Sequence, residues 1–126
     1  MILDHDCVRE LLLSVENNIG LNDMVPIDKL ESISPLDSYD QDIVRYAALK
    51  MIEAGYIHAK PLYADNMLID IRVGNLTTAG HEFLDNVRDS TIWQKTKERS
   101  SKVAGASLPV LANIAGQLIK EQLGLN

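Results

Sequence analysis

Apolar side chains follow helical spacing in two stretches of the first half of the chain. The first stretch predicts a helix over residues 4–18, and Asp4 or Asp6 can cap its start. The second stretch carries a broader apolar stripe and predicts a helix that begins after Ser38, which has the spacing of a capping box with Gln41. That helix should end at Gly55, because glycine takes the left-handed conformation of a helix C-terminus without steric cost.

The segment between those two helices predicts only short elements. Residues 24–28 contain Pro26, so they suit an edge strand or a bridge rather than a central strand. Asp28 and Glu31 have the spacing of a capping box, which predicts a short helix there. Pro35 then ends that helix, because the residue before a proline avoids the helical conformation.

Beyond the second long helix, the apolar period changes from that of a helix to that of a strand. Residues 56–60 begin a strand that Pro61 limits, and residues 63–66 have the composition of a turn. In residues 67–76 apolar and charged side chains alternate, which places three apolar residues on one face: Ile69, Ile71 and Val73. We therefore predict a two-stranded hairpin.

Helical spacing returns after the hairpin. Thr77 or Thr78 can cap a helix, Asp89 and Ser90 can break or re-cap it, and residues 108–126 form an apolar terminal helix. Three helices closed by a two-stranded β wing are the arrangement of a winged-helix domain. The predicted fold class is therefore α+β, mainly α, and winged-helix-like, with additional C-terminal helices.

The predicted domain organisation follows from that order of elements. Residues 1–102 form the winged-helix-like domain, and residues 103–126 form a C-terminal apolar element for packing or oligomerisation. The chain has 126 residues, which is the size of one ordinary domain. A single cysteine, a start unlike a secretory leader and no long apolar run favour a cytoplasmic protein that is not embedded in a membrane.

Charge is distributed unevenly along the chain, whose net charge is −6. Residues 1–56 carry eleven acids and four bases, whereas residues 88–102 carry two acids and five bases. An acidic first half disfavours nucleic-acid binding, because each bound phosphate needs a nearby cation. If nucleic acid binds at all, the wing and the basic segment supply the contacts: Lys60, Arg72, Arg88, Lys95, Lys97, Arg99 and Lys102.

One segment invites a catalytic interpretation because it resembles part of a zinc-protease helix. His81, Glu82 and Asp85 give the pattern HExxD, but the second histidine of such a helix is missing and no third ligand has suitable spacing. The alternative is structural, in which Gly80 permits close packing and Glu82 complements the positive helix start. We predict a structural role for this region, carried by Gly80, His81, Glu82, Phe83, Leu84 and Trp93.

Other enzyme chemistries find little support in the sequence. Cys7 would need a base to lower the pKa of its thiol, but His5, two residues away, lies on another face of the helix, and Asp4 and Asp6 would raise that pKa. No glycine-rich phosphate loop and no serine-nucleophile motif occurs. We therefore predict no catalytic residues, no metal site, no cofactor and no enzymatic activity.

The longest stretches that carry a family resemblance are "AGYIHA", "LTTAGHEFLDNVRDSTIWQKTKE" and "LPVLANIAGQLIKEQLG". They are similar to a family of small uncharacterised bacterial and phage proteins, domain of unknown function 2513. The resemblance covers nearly the whole chain and implies a winged-helix-like fold in a phage or prophage setting. It implies no catalytic residue, because the family has no established activity.

The expected function is therefore macromolecular binding. The terminal helix is apolar on more than one face, which favours a homodimer. Five residues would form its interface: Val110, Leu111, Ile114, Leu118 and Ile119. The acidic charge favours an unidentified protein partner, which the chain would inhibit or adapt. A DNA-binding transcriptional regulator that uses the wing and residues 88–102 is the alternative.

Overall fold

The computed structural model describes residues 1–101 and 106–125. The protein is α+β and mainly helical, with one small antiparallel sheet. In chain order the elements are α1 (His5–Asn18), β1 (Val25–Pro26), α2 (Ile27–Glu31), a 3-10 turn (Leu36–Ser38), α3 (Gln41–Glu53), β2 (Ile57–Ala64), β3 (Met67–Leu76), α4 (Thr78–Val87), α5 (Ser90–Ser100) and α6 (Leu108–Gln122).

The chain divides into two compact units, residues 1–81 and residues 82–126, and the division falls inside α4. The predicted boundary between residues 102 and 103 lies outside the described residues. None of the helices in the described part of the chain is long and apolar enough to cross a membrane.

The sheet of the first unit has three strands in the order β1-β3-β2. The prediction of an edge strand at Pro26 is confirmed, because β1 pairs with β3 at one edge. The predicted hairpin is therefore part of a three-stranded sheet rather than an isolated pair. Pro61 was expected to limit the first hairpin strand, but β2 runs through it to Ala64, and this is possible because β2 lies at the other edge.

Several predicted helix ends are confirmed by hydrogen bonds within the unit. Asp4 caps α1 by accepting the Cys7 N–H at 3.0 Å. Gly55 has a φ of 75°, the left-handed conformation expected after α3. Thr77 Oγ1 accepts the Gly80 N–H at 3.0 Å and so caps α4.

The two predicted capping boxes are wrong. α2 begins at Ile27, and its first N–H meets the Asp70 carboxylate at 3.4 Å rather than a side chain at its own start. α3 begins at Gln41, while the Ser38 hydroxyl lies in the 3-10 turn and donates to Pro35 O at 2.8 Å. Asp70 thus serves α2 from a distant strand, whereas Asp40, at the start of α3, makes no side-chain cap hydrogen bond.

The core of the first unit is aliphatic and is built by α1, α3 and β3. Its buried side chains include Leu11 and Leu12 on α1 and Met51 on α3. Ile71 and Val73 of β3 are also buried. Ile69 was predicted on the same face, but 58% of its surface is exposed, because the register of the β2–β3 pair shifts there and leaves Ile69 without a partner in β2.

In the second unit α5 packs against α6. Asp89 caps α5 by accepting the Ile92 N–H at 2.8 Å, as the sequence predicted. α6 is capped by Ser107, whose hydroxyl accepts the Val110 N–H at 3.4 Å. Buried aliphatic residues and Trp93 supply the core of this unit.

Candidate interaction surface

The glycine of the His81 segment lies where the hairpin returns to a helix. A Cβ atom on Gly80 would collide with the Tyr56 carbonyl oxygen, so no larger residue fits without a backbone shift. Tyr56 O also accepts the Thr77 N–H at 3.0 Å, and the Thr77 hydroxyl donates to Gly55 O. These contacts join the two strand ends at the base of the hairpin.

The acidic and imidazole groups of this segment do not converge on one point. His81 Nδ1 lies 3.6 Å from a carboxylate oxygen of Glu16 on α1, and Asp85 pairs with Arg88 at 3.2 Å. Glu82 is exposed, whereas Phe83, Leu84 and Trp93 are buried. Within residues 1–101 and 106–125, no three His, Cys, Asp or Glu side chains are grouped so that they could hold a metal ion.

Cys7 is buried on α1, with the carboxylates of Asp4 and Glu10 nearby. Burial, and then the negative charges of those two residues, raise the pKa of its thiol to about 12. The thiol therefore stays protonated at neutral pH, which is the opposite of what a cysteine nucleophile needs.

Both bases of α3 are paired with carboxylates of the same unit. Arg45 makes a two-pronged contact with Glu31 of α2, with N···O distances of 3.0 and 3.1 Å. Lys50 lies 2.9 Å from Glu53 and also 5.3 Å from the centre of the Tyr46 ring. The guanidinium of Arg45 is therefore held by a largely buried carboxylate, whereas the Lys50 ammonium remains at the surface in a solvent-exposed ion pair.

The basic residues predicted from sequence fall into two groups. In the first unit, Lys60 and Arg72 lie directly opposite each other on β2 and β3, and both are exposed. In the second unit each basic residue has a different environment. Arg88 pairs with Asp85, and Arg99 lies 3.7 Å from Glu121. Lys97 lies 5.9 Å from the centre of the Trp93 ring, and Lys95 lines a hollow beside Glu98. Lys102 lies outside the described residues.

The outer end of the hairpin, residues 61–71, is apolar and carries no Lys or Arg. Its turn is formed by Asp65 and Asn66, which both have positive φ angles, 51° and 64°. Three large side chains are exposed around this turn: Tyr63 at 57%, Met67 at 71% and Ile69 at 58%. Sequence reasoning missed this surface, although the absence of bases from residues 61–71 was a readable signal. We call residues 61–69 the wing tip, because Ile71 is buried in the core and Asp70 meets the first N–H of α2.

A groove runs between α3 and the wing tip. Two hollows of about 240 and 290 Å³ adjoin along it and share Tyr46 and Leu49 of α3. Pro61 and Tyr63 of β2 line the first hollow, and Leu68 of β3 lines the second. Since Tyr63 and Leu68 are cross-strand partners, they form one continuous apolar wall.

The five residues predicted to join two copies are divided between the two sides of α6. Leu111 and Leu118 are buried in the single chain. Val110 is 41% exposed, and Ile114 and Ile119 are half-buried. Any contact with a second copy through α6 would therefore use Val110, Ile114 and Ile119.

Comparison with known proteins identifies relatives without a described activity. A family model described as "Hypothetical protein (DUF2513)" matches residues 2–107. An uncharacterised protein of Haemophilus influenzae is 27% identical over 119 residues, which cover 94% of this chain and 95% of that protein. No solved structure matches.

Proposed function

Given that the chain belongs to the DUF2513 family of hypothetical proteins, we propose that it is a winged-helix-like protein that acts without catalysis by binding another protein. The order of helices and strands supports a winged helix, because α1, β1, α2 and α3 precede a hairpin whose second strand pairs with β1. In this arrangement the hairpin is the wing, and its tip and the neighbouring face of α3 are the contact surface.

The observation that carries this proposal is the chemistry of the wing tip. A wing that grips DNA needs Lys or Arg near phosphate groups, and residues 61–71 contain neither. Instead three large apolar side chains, those of Tyr63, Met67 and Ile69, are exposed around one turn, with Tyr63 and Met67 on opposite faces of the hairpin. Exposed apolar side chains of this size are typical of protein interfaces. The paired state of Arg45 and Lys50 supports the same choice.

Self-association and a phage or prophage setting in the cytoplasm belong to the same proposal. The setting follows from the family resemblance, and the dimer would form through the exposed side of α6. Light scattering of the full chain tests the dimer, and we expect Val110→Lys to give a monomer because an ammonium would have to be buried in the interface. A wild-type protein that is monomeric at high concentration would remove this part of the proposal.

A specific observation also favours the second candidate function, a DNA-binding transcriptional regulator. Lys60 and Arg72 are cross-strand neighbours, and like charges placed directly opposite each other destabilise a sheet. An anionic partner at the base of the wing would relieve that repulsion. The net charge of −6 and the acidic first half of the chain weigh against this candidate.

The two candidates are separated by capture of partners from lysate with and without nuclease, using matched variants. Met67→Ser with Ile69→Ser removes the apolar wing tip, and Leu21→Ser is the control because Leu21 is 89% exposed elsewhere on the same unit. We expect one nuclease-resistant partner to be retained by wild type and control and lost by the wing-tip variant. We also expect random duplex DNA to bind more weakly than about 10 µM at ~150 mM salt. Nanomolar, sequence-dependent DNA binding would establish the second candidate instead.

A further inference from the structure

We infer that the face of the hairpin turned away from α3 binds a segment of the protein partner that combines apolar side chains with Asp or Glu. The inference rests on the proposed function, because the segment would belong to the partner that covers the wing tip. Three observations carry it: the side chains that share this face, two unpaired bases at one end of it and the number of anionic groups that two bases can hold.

Alternation and strand register decide which side chains share this face. Pro61 and Tyr63 line the first hollow beside α3, so the alternate residues of β2 point away from that helix. Cross-strand pairing adds the β3 residues that lie opposite those alternate residues. All members of the set are exposed or half-buried. The set, which we call the outer face, is Lys60, Leu62, Ala64, Met67, Asp70 and Arg72.

The half of the outer face next to the turn is apolar. Met67 is 71% exposed, and Leu62 is half-buried. Because a strand rises about 3.3 Å per residue, Leu62 lies about 7 Å along β2 from Lys60. The row that contains Met67 lies about 13 Å from Lys60 by the same rise. One short segment of a partner can therefore contact the apolar half and the charged half together.

The other half of the outer face carries two bases that the fold leaves without a counter-charge. Neither Lys60 nor Arg72 forms an ion pair with any carboxylate in residues 1–101 and 106–125. The carboxylate of Asp70, two residues from Arg72, accepts two backbone N–H groups at 2.8 and 3.4 Å instead. The hairpin's other carboxylate, that of Asp65, lies in the turn at the far end. Because like charges directly opposite each other destabilise a sheet, an anionic group placed between the two bases stabilises a complex.

The number of bases favours a protein segment over DNA. Surfaces that bind DNA commonly neutralise about 6–10 phosphates, whereas two bases match one or two carboxylates. Leu62 and Met67 gain nothing beside phosphate groups, but apolar side chains of a protein segment would remove them from water. The net charge of −6 also repels a polyanion more strongly than it repels a segment with one or two acids.

The test uses a 15-residue helical peptide of Leu, Ala and Glu as the probe, with Leu and Glu on one face. Its matched control has Gln at every Glu position, which keeps the shape and removes the charge. NMR chemical-shift mapping on the full chain should show the Glu peptide perturbing Lys60, Leu62, Met67 and Arg72 first. The Gln peptide should bind at least about tenfold more weakly. Perturbations centred elsewhere, or equal binding of both peptides, would overturn the inference.

Two pairs of variants separate the outer face from unspecific attraction. Lys60→Gln should weaken the Glu peptide at least about threefold, whereas Lys29→Gln, on an exposed lysine of α2, should not. Met67→Ser should also weaken it, whereas Leu21→Ser, on a leucine that is 89% exposed, should not. Equal effects within either pair would reject the outer face as the binding surface.

Two other anionic partners are measured against the same proteins. Random duplex DNA and vesicles of phosphatidylcholine with phosphatidylglycerol should both bind more weakly than the Glu peptide. Tighter binding of DNA that is lost in Lys60→Gln would assign the outer face to the second candidate function. Tighter binding of the vesicles would assign it to a lipid surface. Either result would overturn the inference.

Failure of this inference is distinguishable from failure of the proposed function. We expect Lys60→Gln with Arg72→Gln, like the wing-tip variant, to lose the captured partner. If the double Gln variant keeps the partner while the wing-tip variant loses it, the chain binds a protein but not through an acidic segment. If neither variant affects capture, the proposed function itself fails.

Discussion

The base and the tip of the hairpin use the same two strands for different purposes. At the base, Ile71 and Val73 are buried in the core, and Lys60 and Arg72 lie opposite each other in solvent. At the tip, Ile69 and Met67 continue the apolar alternation but are exposed. The comparison teaches that alternation predicts a shared face only where the register is regular, and the register shift at Ile69 interrupts it between base and tip.

The largest expected difference between tip and core is in thiol reactivity. Met67→Cys places a thiol at the exposed tip, where its pKa should stay near the ordinary 9.0, whereas burial and nearby carboxylates raise the pKa of Cys7 to about 12. At pH 8 the tip thiol should react with a disulfide reagent at least about a thousandfold faster, because the thiolate is the nucleophile. Comparable rates for the two thiols, followed by absorbance, would contradict the assignment.

The raised pKa of Cys7 also makes the free energy of unfolding depend on pH, because the protonated thiol favours the folded state. The pKa is 9.0 for the ordinary group and about 12 in the fold, so the folded chain holds the proton more tightly. This contribution to the free energy of unfolding is complete below pH 9 and is lost as the pH rises through 12. Cys7→Ser should make the alkaline loss of stability shallower.

The next prediction compares two isoleucines on one strand. Ile71→Ala should lower the free energy of unfolding by about 2–5 kcal/mol, because it leaves a cavity in the core. Ile69→Ala should change it by less than about 0.5 kcal/mol, because that side chain is exposed. Urea denaturation followed by circular dichroism measures both. Similar losses for the two variants would mean that the tip is covered by the rest of the chain.

The smallest expected effect is at the charged base of the hairpin. Lys60→Glu replaces a repulsive pair with an attractive one, so the free energy of unfolding should rise by about 0.2–1 kcal/mol. Lys60→Gln should give a smaller gain, since it removes repulsion without adding attraction. Both gains should shrink in high salt, which screens exposed charges. A loss of stability on Lys60→Glu would show that Lys60 has another partner.

Local features of the fold were predictable from sequence because their causes lie within a few residues. Asp4 caps the helix that starts beside it, and Gly55 takes the left-handed conformation that ends α3. Thr77 and Asp89 cap the next two helices in the same way. Each of these rests on one side chain, or one glycine backbone, and the neighbouring residues, so composition and spacing were sufficient.

The features that were not predicted depend on residues distant in the chain. The Asp70 carboxylate accepts the first N–H of α2 from a residue 43 positions away in sequence. The Glu31 carboxylate pairs with Arg45 of α3, which is 14 positions away. The candidate site depends on both kinds of information. The absence of bases at the wing tip is visible in the sequence, whereas the groove exists only because α3 lies beside the hairpin.

The contacts at the base of the hairpin have a consequence for how the protein can evolve and be engineered. Tyr56, Thr77 and Gly80 hold the two strand ends together, and none of them belongs to the wing tip, residues 61–69. Selection can therefore exchange the side chains of the tip while the scaffold stays unchanged. Grafting a different tip sequence onto this scaffold would be a direct way to redirect it to a new partner.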